Sequence, residues 1–138
     1  AQDLAVMASI IQAEGKTEDF AKISRVILNR LEKGMPLQMD STVHYVQKIR
    51  GNIFLSTKST LLKSEYNTYR KYGLPPGPIG NPGFDAMFAA ANPAPGDWIF
   101  FVTVAPSDTR FTASYDQFST WKIEYKKNLR AGLFGGSK

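Results

Sequence analysis

The 138-residue chain has no cysteine and a single histidine, His44. Without thiols it can form neither a disulfide frame nor a thiolate metal site, and a single imidazole makes a zinc site or a histidine-based nucleophile system hard to assemble. We therefore expect chemistry that uses no metal or other cofactor. No apolar run approaches the roughly 18 residues that a membrane-spanning helix needs, and no signal-peptide pattern is visible. Internal repeats are lacking as well. The absence of cysteine agrees with an oxidising, extracytoplasmic setting. The chain opens directly on a helical pattern without an initiator Met, so it reads as a piece of a longer protein with any membrane anchor upstream.

Acidic residues are outnumbered, 12 against 17 Lys and Arg, for a net charge of +5. That balance raises nucleic acid as a partner, but the basic residues are scattered along the chain. The one denser run, Lys122, Lys126, Lys127 and Arg130, falls at helical spacing behind Trp121 and Tyr125 and reads as a solvated helix face. We expect no nucleic-acid binding. Apolar residues at 43% and charged residues at 21% are ordinary for a folded protein, and the length suits one domain, residues 1–138, with a core of its own.

The spacing predicts a helix over 3–13 with Gly15 as its stop. A second helix runs from a Thr17 N-cap, with Glu18 and Asp19 in its first turn, along Phe20, Ile23, Val26, Ile27 and Leu31 to Gly34. Together they form a helical hairpin. Pro36 then blocks helix, 37–40 reads as a short extended piece, and Asp40 or Ser41 can cap a helix over 42–48. Residues 51–64 are ambiguous, a short extended NIFLS followed by loop or a helical turn. In 66–83, YNTYRKYGLPPGPIGNPG, prolines 75, 76, 78 and 82 alternate with glycines 73, 77, 80 and 83, which dictates a long loop of fixed geometry. Loops of that kind in compact domains are usually functional. A short helix over 84–91 follows, then strands over 97–104 and 109–113 as a hairpin, then a helix from a Ser114 cap to about 129, with 132–138 fraying. The fold class is α+β.

Glu14 lies in the apolar stripe of Leu4, Met7, Ala8, Ile10 and Ile11. Held there it loses hydration, keeps a proton near neutral pH and can act as a general acid. The competing reading turns it outward to water at the helix end. Asp40 is the second carboxylate candidate, with N-capping as its rival role. Tyr66, Asn67, Tyr69 and Tyr72 suit a sugar- or peptide-binding groove, or core packing beside the loop. His44 reads as exposed or hydrogen-bonded, and Trp98, Phe100 and Phe101 as core. The GLPPGP segment is a weak polyproline signal.

Taken in order, ASIIQAEG at 8–15, ISRVILNRLEKGMPLQMDSTVHY at 23–45, YNTYRKYGLPPGPIGNPG at 66–83, AMFAAANP at 86–93 and WIFFVTV at 98–104 resemble the endolytic murein transglycosylase family, the YceG-like domain. The resemblance implies a bacterial enzyme that cuts peptidoglycan glycan strands internally and leaves 1,6-anhydro-N-acetylmuramoyl ends. It places the catalytic glutamate at Glu14; some relatives carry a second Glu where this chain has Gln12. It puts Gln38, Asp40, Ser41 and Thr42 on one wall of a substrate groove and Asn67, Thr68 and Tyr69 on another, with Leu74 and Pro75 in the loop that shapes the edge. It also implies action at the extracytoplasmic face of the cell membrane through an upstream anchor, and partners in the cell-wall synthesis machinery. Rival readings are a hydrolytic muramidase in which Asp40 supports water attack, and a noncatalytic cell-wall-binding module.

Overall fold

A computed structural model describes residues 2–49 and 60–135; the expected NIFLS extended piece lies outside them. The chain divides after Pro95 into two compact units, each described by itself. As expected, the class is α+β: an N-terminal helical hairpin, a long Pro/Gly-rich loop, a two-stranded antiparallel sheet and a C-terminal helix.

In the first unit, α1 (Gln2–Glu14) is the central element and touches α2 (Phe20–Lys33), α3 (Asp40–Ile49) and α4 (Phe84–Ala91). Its burial is not a stripe. Six consecutive residues, Val6 to Ile11, are all buried, because neighbours cover the helix on several sides. Ile10, Ile11, Ile23 and Ile27 are each 0% exposed, and burying a side chain of that size contributes about 1.5–3 kcal/mol. Ala86, Ala89 and Ala90 form the buried face of α4, and their small size lets that helix approach α1 and α2 closely.

Helix starts differ from expectation in two places. Thr17 does not cap α2: residues Thr17–Asp19 form a 3-10 turn closed by Asp19 N–H to Lys16 O, and α2 begins at Phe20 without a side-chain cap. Helix α3 begins at Asp40, so Asp40 is its first residue and not the cap of a helix starting at Thr42. The turn before it is not simply extended, since Gln38 has φ 53°, a left-handed conformation rare outside glycine. Buried Arg30 anchors this turn, donating to Pro36 O at 2.8 Å and Leu37 O at 3.2 Å. Gly34 ends α2 at φ 70°, as a left-handed cap requires.

In the second unit, β1 (Phe100–Ala105) pairs antiparallel with β2 (Asp108–Thr112), Phe101 opposite Phe111, with an irregularity between Thr103 and Ala105. Both strands are shifted from their expected limits because the turn is tight: Pro106 and Ser107 make it, Ser107 at φ 64°. Helix α5 (Tyr115–Arg130) starts where expected, Ser114 accepting from Gln117 N–H at 3.1 Å. It lies on the sheet through a Phe100–Phe118 stack at 4.8 Å and an Asn128 bond to Val104 O at 2.8 Å. Fraying does not begin at 132: residues 131–134 form a turn, and Phe134 meets Tyr125 edge-on at 5.5 Å. Lys122, Lys126, Lys127 and Arg130 are exposed.

Candidate active site

Glu14 is the last residue of α1, at the point where apolar periodicity runs into the bend before α2. Its side chain is half-buried on an open pocket of about 420 Å³ lined by Ala13, Glu14, Asp40, Ser41, His44, Tyr45, Lys48 and Ile79. Protein surrounds the carboxyl on most sides, and this burial raises its pKa above the usual carboxylate value. Opposing influences come from Ser41 and, more weakly, from His44, while the Asp40 charge pushes further upward.

The Ser41 contribution has a clear structural origin. Its backbone N–H, in the first turn of α3, donates to Glu14 Oε2 at 3.0 Å. First-turn amides have no partner within their helix and carry the positive end of its dipole, so Glu14 occupies a place suited to an anion. The Ser41 hydroxyl, buried beside the same carboxyl with no other partner, also favours its ionised form. Burial thus favours the protonated form of Glu14, while Ser41 favours the ionised one.

Asp40 is exposed, and its Oδ1 accepts the Tyr69 hydroxyl at 2.5 Å. Burial, then this bond and the neighbouring Asp40 and Glu14 charges, raise the Tyr69 pKa far above the usual tyrosine value, so its hydroxyl remains a donor. The loop residue Ile79 reaches the pocket because its N–H is held at 3.0 Å by Ser9 Oγ, which in turn donates to Val6 O. Gln12 Oε1 accepts from Gly83 N–H at 3.0 Å and ties the end of α1 to the start of α4.

Of the expected groove residues, Glu14, Asp40 and Ser41 come together on the pocket, and Tyr69 joins them through Asp40. Three others lie inside the protein: Thr42 and Asn67 are 0% exposed and Thr68 is 1% exposed. Asn67 donates to Thr60 O and Leu62 O and accepts from Tyr69 N–H. The Thr42 and Thr68 hydroxyls bond to each other, and Thr68 Oγ1 accepts from Met39 N–H, locking the start of α3 to the loop. These side chains build the wall from behind. Gln38 is exposed, and its N–H donates to Thr68 O. Leu74 is half-buried and Pro75 buried, and Ile79 is the loop residue on the pocket lining.

Sequence reasoning missed His44, Tyr45, Lys48 and Ile79. The signal for the first three was present in the spacing 40, 41, 44, 45, 48, one face of a helix, but only once that helix starts at Asp40. Tyr66 supports the wall by packing on Tyr45, ring centroids 5.0 Å apart, whereas Tyr72 is 72% exposed. Among the described residues no group of three or more His, Asp or Glu could hold a metal ion, and no helix is long and apolar enough to cross a membrane.

The sequence model of the YceG-like family matches residues 1–123. The chain belongs to the YceG-like family. The YceG-like chain is 37% identical over 123 residues to an endolytic murein transglycosylase of Bacillus subtilis, an alignment covering 88% of this chain and 34% of that protein. It is 39% identical over 105 residues to an endolytic murein transglycosylase of Streptococcus pneumoniae, covering 72% of this chain and 19% of that one. A crystal structure of a yceG-like protein from Listeria monocytogenes superposes with a TM-score of 0.77 at 34% identity, covering 86% of this chain and 38% of the other. The chain thus spans about a third of the length of the Bacillus relative.

Proposed function

We propose that this YceG-like chain carries the catalytic centre of an endolytic peptidoglycan lytic transglycosylase, acting at the extracytoplasmic face of the bacterial membrane. The observation that supports the reading is the pairing of a desolvated carboxyl, Glu14, with the first-turn amide of Ser41 on an open pocket. The names of the relatives point to the same chemistry.

Glycosidases commonly use two carboxyl groups, one to protonate the leaving oxygen and one as nucleophile or base. Here one serves both roles in turn. Protonated Glu14 donates to the oxygen linking N-acetylmuramic acid to N-acetylglucosamine, and the C1–O bond breaks. Positive charge developing at C1 is shared by the substrate's acetamido group. The muramic C6 hydroxyl attacks C1, its proton passes to the Glu14 carboxylate, and the 1,6-anhydro ring closes. Between the two transfers the Ser41 N–H stabilises the ionised carboxylate, and each turnover returns the proton to Glu14.

The test is mass spectrometry of digested peptidoglycan with wild type and Glu14→Gln in parallel. We expect anhydromuramoyl ends from wild type and none from the variant, with strand binding retained. Products with reducing ends alone would favour hydrolysis, a reading kept in view because Asp40 shares the pocket. Cleavage by Glu14→Gln removes Glu14 from its role.

A further inference from the structure

The pocket extends along α3 beyond the carboxyl pair. Asp40, His44 and Lys48 lie on successive turns, and all three line it. At 1.5 Å per residue the helix carries Lys48 roughly 12 Å from Asp40 along its axis. The pocket is therefore polarised, with the carboxyl pair at the α1 end and an imidazole and a lysine along the rest of α3.

The lysine end lacks an ion-pair partner among the described residues. His44 and Lys48 are exposed, and neither makes a hydrogen bond or ion pair among the described residues. All 12 Asp and Glu residues of the chain are among those described, and none of them pairs with Lys48. From Ser41 to Ser64 the sequence has no Asp or Glu, while it contains His44, Lys48, Arg50, Lys58 and Lys63. A lysine on a solvated helix face usually has acids within reach at three or four positions, and here those positions hold none.

We propose that Lys48 and His44 form an anion subsite that receives a carboxylate carried on the muramic 3-O side arm while the glycosidic bond lies at Glu14. This rests on the reading of the chain as a peptidoglycan-cleaving enzyme and adds how it distinguishes muramic residues from neutral sugars. Two sources share the chemistry: the lactyl carboxylate itself, free when no peptide is attached, and the carboxylates of an attached stem peptide. The subsite fixes register along the strand, since only alternate sugars carry the side arm.

The test measures binding without turnover, in the Glu14→Gln background, by titration calorimetry and by NMR of His44, whose imidazole is unique in the chain. Three fragments of equal length are compared: a stem-bearing muramic strand, a peptide-free strand with free lactyl carboxylates, and a neutral N-acetylglucosamine oligomer. We expect the neutral oligomer to bind about fivefold more weakly than the better muramic fragment, which identifies the carboxylate source. Added salt narrows the gap. Lys48→Glu should abolish the preference and Lys48→Arg keep it; Lys48 is exposed, so neither change threatens the fold. Equal affinity for all three fragments, a preference that survives Lys48→Glu, or no binding by any fragment overturns the proposal. Cleavage products are read separately: binding preference without cleavage refutes the activity alone, and cleavage without preference refutes the subsite alone.

Discussion

Ser41 donates its backbone N–H to Glu14 Oε2 at 3.0 Å, joining the first turn of α3 to the last residue of α1 across 27 positions of sequence. The contact is made by main chain, so no side-chain substitution at position 41 other than proline removes the donor. It sets a helix N-terminus against a carboxyl that burial drives toward the protonated form. Burial is the larger of the two influences, so the proton is favoured, yet the ionised state has a place to go. A group that gives up and regains a proton within one turnover needs both.

That balance has a consequence for stability. Burial raises the Glu14 pKa above its ordinary 4.5, so the folded state holds this proton more tightly than the unfolded chain does. The support this lends the fold is complete below the unfolded value and is lost as pH rises through the folded value. Glu14→Gln is neutral throughout and can still accept from Ser41. We expect thermal melts of Glu14→Gln to exceed those of wild type by a few degrees at pH 8 and to match them near pH 4. A lower melting temperature at pH 8 would mean that the ionised carboxylate is not penalised in the fold.

Asn67 is the organiser of the 66–83 loop, with its amide donating at 3.1 and 2.7 Å and its carbonyl accepting at 3.0 Å, all in a fully buried position. Truncation strands the two carbonyls that its amide serves and releases the Tyr69 N–H. We expect Asn67→Ala to lower stability by about 3 kcal/mol in urea titrations and to open the loop to proteolysis. A loss below about 1 kcal/mol would mean that the loop holds its shape without this amide.

The residues behave differently according to how local their information is. Glu14 in an apolar run, the Pro/Gly alternation of 66–83 and the Ser114 cap are near-neighbour patterns, and each was legible. The family resemblance puts Thr42, Asn67 and Thr68 on the groove walls; tertiary contacts with Met39, Thr60 and Leu62, which no local pattern encodes, turn their side chains inward. Likewise, the pocket face of α3 depends on a helix start that is set by Arg30 holding the preceding turn, a contact between elements that periodicity does not encode. The positive φ of Gln38 belongs to the same turn.

Gly15 directly follows the last residue of α1, where a stop is expected, and has a second role. A side chain there would collide with Cδ1 of Ile23, which is 0% exposed on α2. The glycine is required by close approach. We expect Gly15→Ala to displace Ile23 and lower stability by about 1–3 kcal/mol, and Ile23→Val to recover part of the loss when combined with it. Strictly additive effects of the two changes in denaturant titrations would refute this account.

Asp40 offers the sharpest separation of mechanisms. Its charge raises the Glu14 pKa, and its Oδ1 accepts from Tyr69, a bond that an asparagine carbonyl can keep. Asp40→Asn therefore removes the charge while leaving the wall intact, and Glu14 then gives up its proton at lower pH. If Glu14 acts alone as acid and then base, the alkaline limb of the kcat/KM profile moves toward lower pH, and the maximum falls by less than about tenfold. If Asp40 instead assists water as a base, the limb moves in the same way but the maximum itself falls by about 100-fold or more. Rate profiles of wild type and Asp40→Asn on the same glycan strands decide between them: a maximum lowered by about 100-fold sinks the single-carboxyl mechanism, because the loss of a charge beside Glu14 shifts the limb without so large a fall at the optimum.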